Sequence, residues 1–179
     1  LGDGDAVESV ADIRAQDGAA GSPGVSAYAL YADRGYIEIR GNTVTKTQGS
    51  HSWDASVASL EKYETATVTC RFDANATAMV GLARNDANGA YSGIAYALYG
   101  RDGEIFIYEY GSSRGKVADY VESDVMSISC DGLTVKYFKN GALIYTSAVS
   151  PSGGYKLNAV LYRPNTSVYN LSITPNGRS

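Results

Sequence analysis

Few residues of this chain could do covalent chemistry. It holds one histidine, His51, and two cysteines, Cys70 and Cys130. A serine hydrolase needs a nucleophile elbow and a base beside it. No Gly-x-Ser-x-Gly run is present, and His51 stands in a polar turn, Gln48-Gly49-Ser50-His51-Ser52. An exposed loop histidine is therefore expected. Glycosidases need two carboxylates flanking the scissile bond. No Glu-x-Asp-x-x-Glu run supplies them, and Glu104 and Glu109 would face opposite sides of one strand. Glu109, in Ile107-Tyr108-Glu109-Tyr110-Gly111, reads as a strand-end carboxylate or a structural acceptor. Gly111-Ser112-Ser113-Arg114-Gly115-Lys116 lacks the spacing of a phosphate loop and the helix that should follow it. It reads as a loop between strands, with Arg114 and Lys116 able to meet an anionic or sugar ligand. No catalytic residue is assigned, and the chain reads as a non-enzyme.

Metal chemistry is equally thin. Cys70 alternates with Val68 and Phe72, and Cys130 with Ile128 and Met126. That pattern suits buried core thiols, with a disulfide as the lesser alternative. One histidine and no Cys-x-x-Cys leave little for zinc. Asp73-Ala74-Asn75 and Asn85-Asp86-Ala87-Asn88-Gly89 offer oxygens to calcium, but neither has EF-hand spacing, and turn-forming Asx chemistry explains both. No metal and no cofactor are expected. Asn75, Asn165 and Asn170 open Asn-x-Ser/Thr sequons, which arise easily in such a composition.

What remains is a binding chemistry. The chain has 15 Tyr, 3 Phe and 1 Trp. Sugars lay apolar C–H faces on rings and hydroxyls on Asn, Asp and Arg, and tyrosine serves both needs at low entropic cost. Tyr91, Tyr96, Tyr99, Tyr108, Tyr110 and Tyr120 gather in one third of the chain. The candidate ligand-binding residues are Asp86, Asn88, Tyr91, Tyr96, Tyr108, Tyr110 and Arg114, set against the plainer reading that most of these tyrosines pack within the sheets. Trp53 reads as a core plug. The net charge of −4 and the lack of a basic run argue against nucleic acid and against an anionic membrane surface. No apolar run approaches the roughly 20 residues of a membrane helix.

The elements that must position these residues are strands. Alternating runs at 25–31, 36–40, 42–46, 56–60, 66–72, 78–83, 93–99, 104–110, 125–130, 133–139, 142–147, 155–161 and 167–173 are separated by turn residues. Gly100-Arg101-Asp102-Gly103, Asp131-Gly132 and Asn140-Gly141 mark hairpins. About a dozen short strands at this spacing predict a β-sandwich or jelly roll. Ala27-Tyr28-Ala29-Leu30-Tyr31 recurs as Ala95-Tyr96-Ala97-Leu98-Tyr99, too short an echo to imply a repeat fold.

Residues 1–26 differ. Asp5-Ala6-Val7-Glu8 has the form of a capping box, and Val7, Val10 and Ile13 predict a short helix that needs partners. Gly18-Ala19-Ala20-Gly21-Ser22-Pro23-Gly24-Val25-Ser26 has glycine at every third position. A collagen-like segment and a flexible linker explain it equally. The expected division is a connector over 1–26 and a sandwich over 27–179. The opening Leu1-Gly2-Asp3-Gly4-Asp5, with no Met or basic segment, suggests a fragment of a longer chain.

His51-Ser52-Trp53-Asp54-Ala55-Ser56-Val57-Ala58-Ser59 resembles the opening of concanavalin A-like sandwich domains in bacteriophage tail fibres. Met79-Val80-Gly81-Leu82, Ile94 to Tyr99, Ile107 to Gly111, Asp131 to Gly141 and Val168-Tyr169-Asn170-Leu171-Ser172-Ile173 follow in the same order. The resemblance covers about 50–174. Ala58 departs from it, standing where an aromatic is common. Laminin-G, SPRY and lectin-type domains share the layout. The resemblance implies a jelly-roll receptor-binding tip of a tail fibre, on a parallel homotrimer with Gly-X-Y connectors. It further implies a location in the virion and adsorption to a host surface polysaccharide or other receptor. The competing expectations are a purely structural fibre module and a polysaccharide-degrading enzyme with an inter-subunit site.

Overall fold

A computed structural model describes residues 29–85 and 90–176. The predicted connector over 1–26 lies outside them. The strands are β1 (Leu30–Arg34), β2 (Ile37–Arg40), β3 (Thr43–Lys46), β4 (Ala55–Ser59), β5 (Ala66–Phe72), β6 (Thr77–Ala83) and β7 (Ile94–Arg101). They continue as β8 (Glu104–Glu109), β9 (Ser112–Asp119), β10 (Met126–Cys130), β11 (Val135–Lys139), β12 (Ala142–Thr146), β13 (Lys156–Leu161) and β14 (Thr166–Pro175). One 3₁₀ turn, Tyr91–Gly93, precedes β7. The described residues are otherwise strands and turns, as the alternation predicts.

The strands form two seven-stranded sheets. One runs β9-β8-β7-β6-β13-β4-β1 and the other β12-β11-β10-β5-β14-β3-β2, with antiparallel neighbours throughout. Strands adjacent in sequence often sit in different sheets, as β5 and β6 do, which makes this a jelly-roll sandwich rather than a meander. Inward residues alternate along strands such as β5, β8 and β10. Ala78, Val80 and Leu82 of the first sheet meet Val68, Cys70 and Phe72 of the second in one core, with Ile105, Ile107, Ile128 and Tyr137.

Turn chemistry follows the sequence at the hairpins. Asp102-Gly103 and Asn140-Gly141 both have positive φ at both positions, the primed turn that matches strand twist. Gly81 is required for a different reason. Its backbone lies against β7 so closely that a Cβ there would collide with the Tyr96 carbonyl oxygen.

The structure corrects two elements. Of the stretch read as a loop at 111–116, Ser112 to Lys116 belong to β9, an edge strand paired with β8. Its residues are mostly polar, and two register shifts interrupt the pairing, so it shows no clean alternation. The strand expected over 25–31 also runs on to Arg34, and the chain turns at Gly35 and Tyr36 instead.

Cys70 and Cys130 are both buried and free. On adjacent strands Cys70 stands opposite Met126 and Cys130 opposite Ala66, so they are separated by four residues of register. Burial pushes both thiols up. Asp73 is a turn residue. Its two oxygens accept the amides of Asn75 and Ser167, at 3.1 and 3.3 Å.

Candidate binding site: an aromatic cluster on the outer face of one sheet

Period-two alternation turns a second set of residues away from the core. Across the first sheet one row runs Phe106, Tyr99, Met79, Val160 and Ser56. The row beside it runs Tyr108, Ala97, Gly81, Asn158 and Ala58. Met79, Ile94, Ala97, Tyr99 and Val160 form a second buried apolar cluster, separate from the core between the sheets. Trp53, Tyr91, Phe106 and Tyr108 are half-buried and pack onto it.

The rings touch in a continuous set. Trp53 is 5.2 Å from Tyr91, 5.7 Å from Tyr99 and 5.1 Å from Tyr162. Tyr108 is 6.1 Å from Tyr91 and 5.2 Å from Tyr99. Tyr99 meets Phe106 at 5.7 Å, and His51 meets Tyr162 edge-on at 5.9 Å. These separations and tilts are those of favourable aromatic pairs. At one end the Arg101 guanidinium stands 5.6 Å over the Phe106 ring. Burial raises the Tyr99 phenol, and a hydrogen bond from Arg101 offsets part of that rise.

Trp53 comes from the loop between β3 and β4, and that loop is built on Lys46. The strand Thr43-Val44-Thr45-Lys46 turns Val44 and Lys46 inward, and Lys46 is 1% exposed. Its Nζ donates to the carbonyls of Ser50, Ser52 and Tyr162 at 2.7, 2.9 and 2.8 Å. It also lies 2.8 Å from Asp54 Oδ1. These contacts hold the Asp54 carboxyl below the usual carboxylate range, the Lys46 hydrogen bond first and a Ser52 hydrogen bond second. The Ser52 amide donates to the Tyr162 carbonyl at 3.2 Å.

The sequence-derived candidates divide. Tyr91 and Tyr108 lie together in the cluster. Tyr110, 52% exposed, occupies the β8–β9 turn at φ 50°, a left-handed conformation unusual for a bulky residue. That turn abuts the 3₁₀ turn, since a Cβ on Gly111 would stand 3.0 Å from Ser92 Cβ. Tyr96 points the other way. Its ring is buried between the sheets and its hydroxyl donates to the Val149 carbonyl at 2.9 Å. A one-residue step along a strand changes face, so Tyr96 is framework while Ala97 and Tyr99 face outward. Arg114 is engaged by the buried Glu109, at 3.2 Å. Asp86 and Asn88 lie outside the described residues.

Sequence reading missed three members and misplaced one. Phe106 and Tyr162 were not singled out, although each is an outward position of an alternating strand or its end. Lys46 carried a signal that went unused, a lysine at an inward position. Trp53, expected as a core plug, lies on the outer face of the sheet.

The chain matches no protein-family model and no curated protein sequence. Solved structures do share its fold. The PSpry domain of TRIM65 aligns with a TM-score of 0.61 at 10% identity, over 79% of this chain and 88% of that one. The Emp46p carbohydrate recognition domain gives 0.56 at 9%, over 82% and 87%. Alginate lyase AlgAT5, of polysaccharide lyase family 7, gives 0.53 at 17%, over 78% and 82%. The fold is thus the concanavalin A-like sandwich shared by lectin-type, glucanase and SPRY domains.

Proposed function

We propose that this chain binds a glycan on the outer aromatic cluster of its first sheet, and that it does so as the C-terminal tip of a phage tail fibre. One observation carries the reading. Trp53, Tyr91, Phe106, Tyr108 and Tyr162 form a half-exposed set of rings on the sheet, Phe106 joined to the others through the buried Tyr99. Such rings offer C–H faces a stacking surface, and phenol hydroxyls at their edges serve sugar hydroxyls. The carbohydrate recognition domain among the fold's relatives supports a sugar as ligand. The ordered likeness to tail-fibre tips supports a virion location, a homotrimer and a host surface polysaccharide. Three weak sites on one trimer would bind a repetitive polymer with avidity far above that of one site. The role is adhesion without cleavage.

Cleavage of the bound polysaccharide is the second reading. It is favoured by the fold shared with alginate lyase AlgAT5 and by the placement of His51 beside Tyr162 on the same face. Titration of the chain with surface polysaccharides of defined structure, read through quenching of its one tryptophan, tests adhesion. Saturable quenching without new chain ends supports it. New unsaturated or reducing ends establish cleavage, and no binding to any host glycan leaves a structural fibre module.

A further inference from the structure

We infer that Lys46 is the positioning residue of the site, a built-in cation that sets how Trp53 and His51 are presented. The inference rests on the proposed binding reading for its consequence, but not for its geometry.

Four oxygens surround the Lys46 ammonium within 2.9 Å: the carbonyls of Ser50, Ser52 and Tyr162, and the carboxylate of Asp54. The pattern in sequence is regular. The backbone carbonyls of Ser50 and Ser52 and the side chain of Asp54 converge on Nζ, so the ammonium contacts flank His51 and Trp53 in the chain. The remaining oxygen belongs to Tyr162, whose ring packs on both His51 and Trp53. One buried charge thus holds the backbone before Trp53, the carboxylate after it and the backbone at the base of its ring neighbour.

A buried ammonium is costly unless its charge is paired and its protons are used. Here three N–H groups meet four oxygens, one of them anionic, which satisfies both needs. An apolar residue at this position would fill the space but take the ammonium donor from the Ser50 carbonyl, leave the Ser52 and Tyr162 carbonyls one backbone donor each, and remove the cation paired with Asp54. The loop's other backbone bonds are few: Thr47 to Tyr36, Ser52 to Tyr162 and Asp54 to Ser52. Lys46 therefore gathers three of the loop's residues, Ser50, Ser52 and Asp54, onto the sandwich, beside the one backbone bond from Ser52 to Tyr162. Nothing about this arrangement requires a bound metal, because the ammonium holds the oxygens itself.

Trp53 is the chain's one tryptophan, so its emission reads the loop directly. In Lys46→Met, the β-sheet circular dichroism is expected to persist, the emission to move to longer wavelength, and acrylamide quenching to rise. Affinity for the polysaccharide that binds the wild type should fall roughly 30-fold, the scale of a lost hot-spot contact. Unchanged emission in a folded Lys46→Met overturns the inference, whether or not the wild type binds glycan. Changed emission with a wild type that binds no glycan supports the positioning role and removes the binding reading instead. Should Lys46→Met fail to fold, hydrogen exchange at the lysine itself is the readout, with a milder substitution assigning its signal. A lysine ammonium with slow hydrogen exchange by ¹⁵N NMR, lost in Lys46→Arg or Lys46→Gln, supports the inference. Fast exchange at every lysine overturns it.

Discussion

The phenol of Tyr137, on one sheet, donates a 2.8 Å hydrogen bond to the Glu109 carboxylate of the other. Glu109 is 2% exposed, and Arg114 closes its second oxygen from the edge strand. The bond joins the two layers at the end of β8, beneath the strand that carries Tyr108 and Phe106. Removing it should leave a buried carboxylate short of one donor. Tyr137→Phe is expected to lower unfolding free energy by about 1–3 kcal/mol, the cost of an unsatisfied buried polar group. Urea titration measures it, and an unmoved midpoint would mean that Glu109 finds another donor.

Alkali should act through the same residue. Burial, with the Glu109 charge beside it, raises Tyr137 well above the ordinary phenol range, and burial raises Tyr96 likewise. A folded pKa above the unfolded one stabilises the protein fully below about pH 10, the unfolded value, and that stability is lost as pH rises further. Tyr120, pushed up to about 12 by burial, belongs to the same set. Absorbance of tyrosinate should therefore rise in two stages. The exposed phenols titrate first, and the buried ones appear only with loss of the β-sheet spectrum. Full ionisation of all tyrosines in a still folded chain would contradict this.

The acid limb belongs to Asp54. Its carboxyl is held low by Lys46, so the clasp should persist as pH falls through the usual carboxylate range and release only below it. A depressed pKa contributes stability above the unfolded value, lost as pH drops through the folded one. Trp53 emission should be flat down to about pH 4, the usual carboxylate value, and then move. In Asp54→Asn that acid step should vanish. A step that persists in Asp54→Asn would contradict the assignment.

Within the aromatic cluster, position should decide effect. Tyr91→Ala and Tyr108→Ala are each expected to weaken glycan binding about tenfold, with the fold retained, because their rings are half-exposed. Tyr96→Phe removes a hydroxyl inside the sandwich. It should cost about 1 kcal/mol of stability and leave affinity unchanged. Calorimetric binding curves on the three variants distinguish the cases, and a binding loss confined to Tyr96→Phe would reverse the assignment of faces.

The sandwich was legible because alternation and turn chemistry are local. Val68, Cys70 and Phe72 announce a core face, and Asn140-Gly141 a primed turn, without knowledge of any partner. β9 was not legible, since its polar residues and shifted register carry no period. The site was half legible. Tyr91 and Tyr108 stood out by composition, but which tyrosines share a face depends on register across strands, and Tyr96 fell on the wrong side by one residue. Trp53 went astray for a related reason. An aromatic beside a strand reads as core, and only the Lys46 clasp reveals that its loop folds back over the sheet's outer surface.

The central claim is that a glycan binds on this outer face. The most direct measurement is a titration of the intact chain and of the double variant Trp53→Ala/Tyr108→Ala with the same panel of bacterial surface polysaccharides. The account predicts saturable binding of at least one polymer by the wild type and its loss in a double variant that still unfolds cooperatively. Equal binding by both proteins would contradict it.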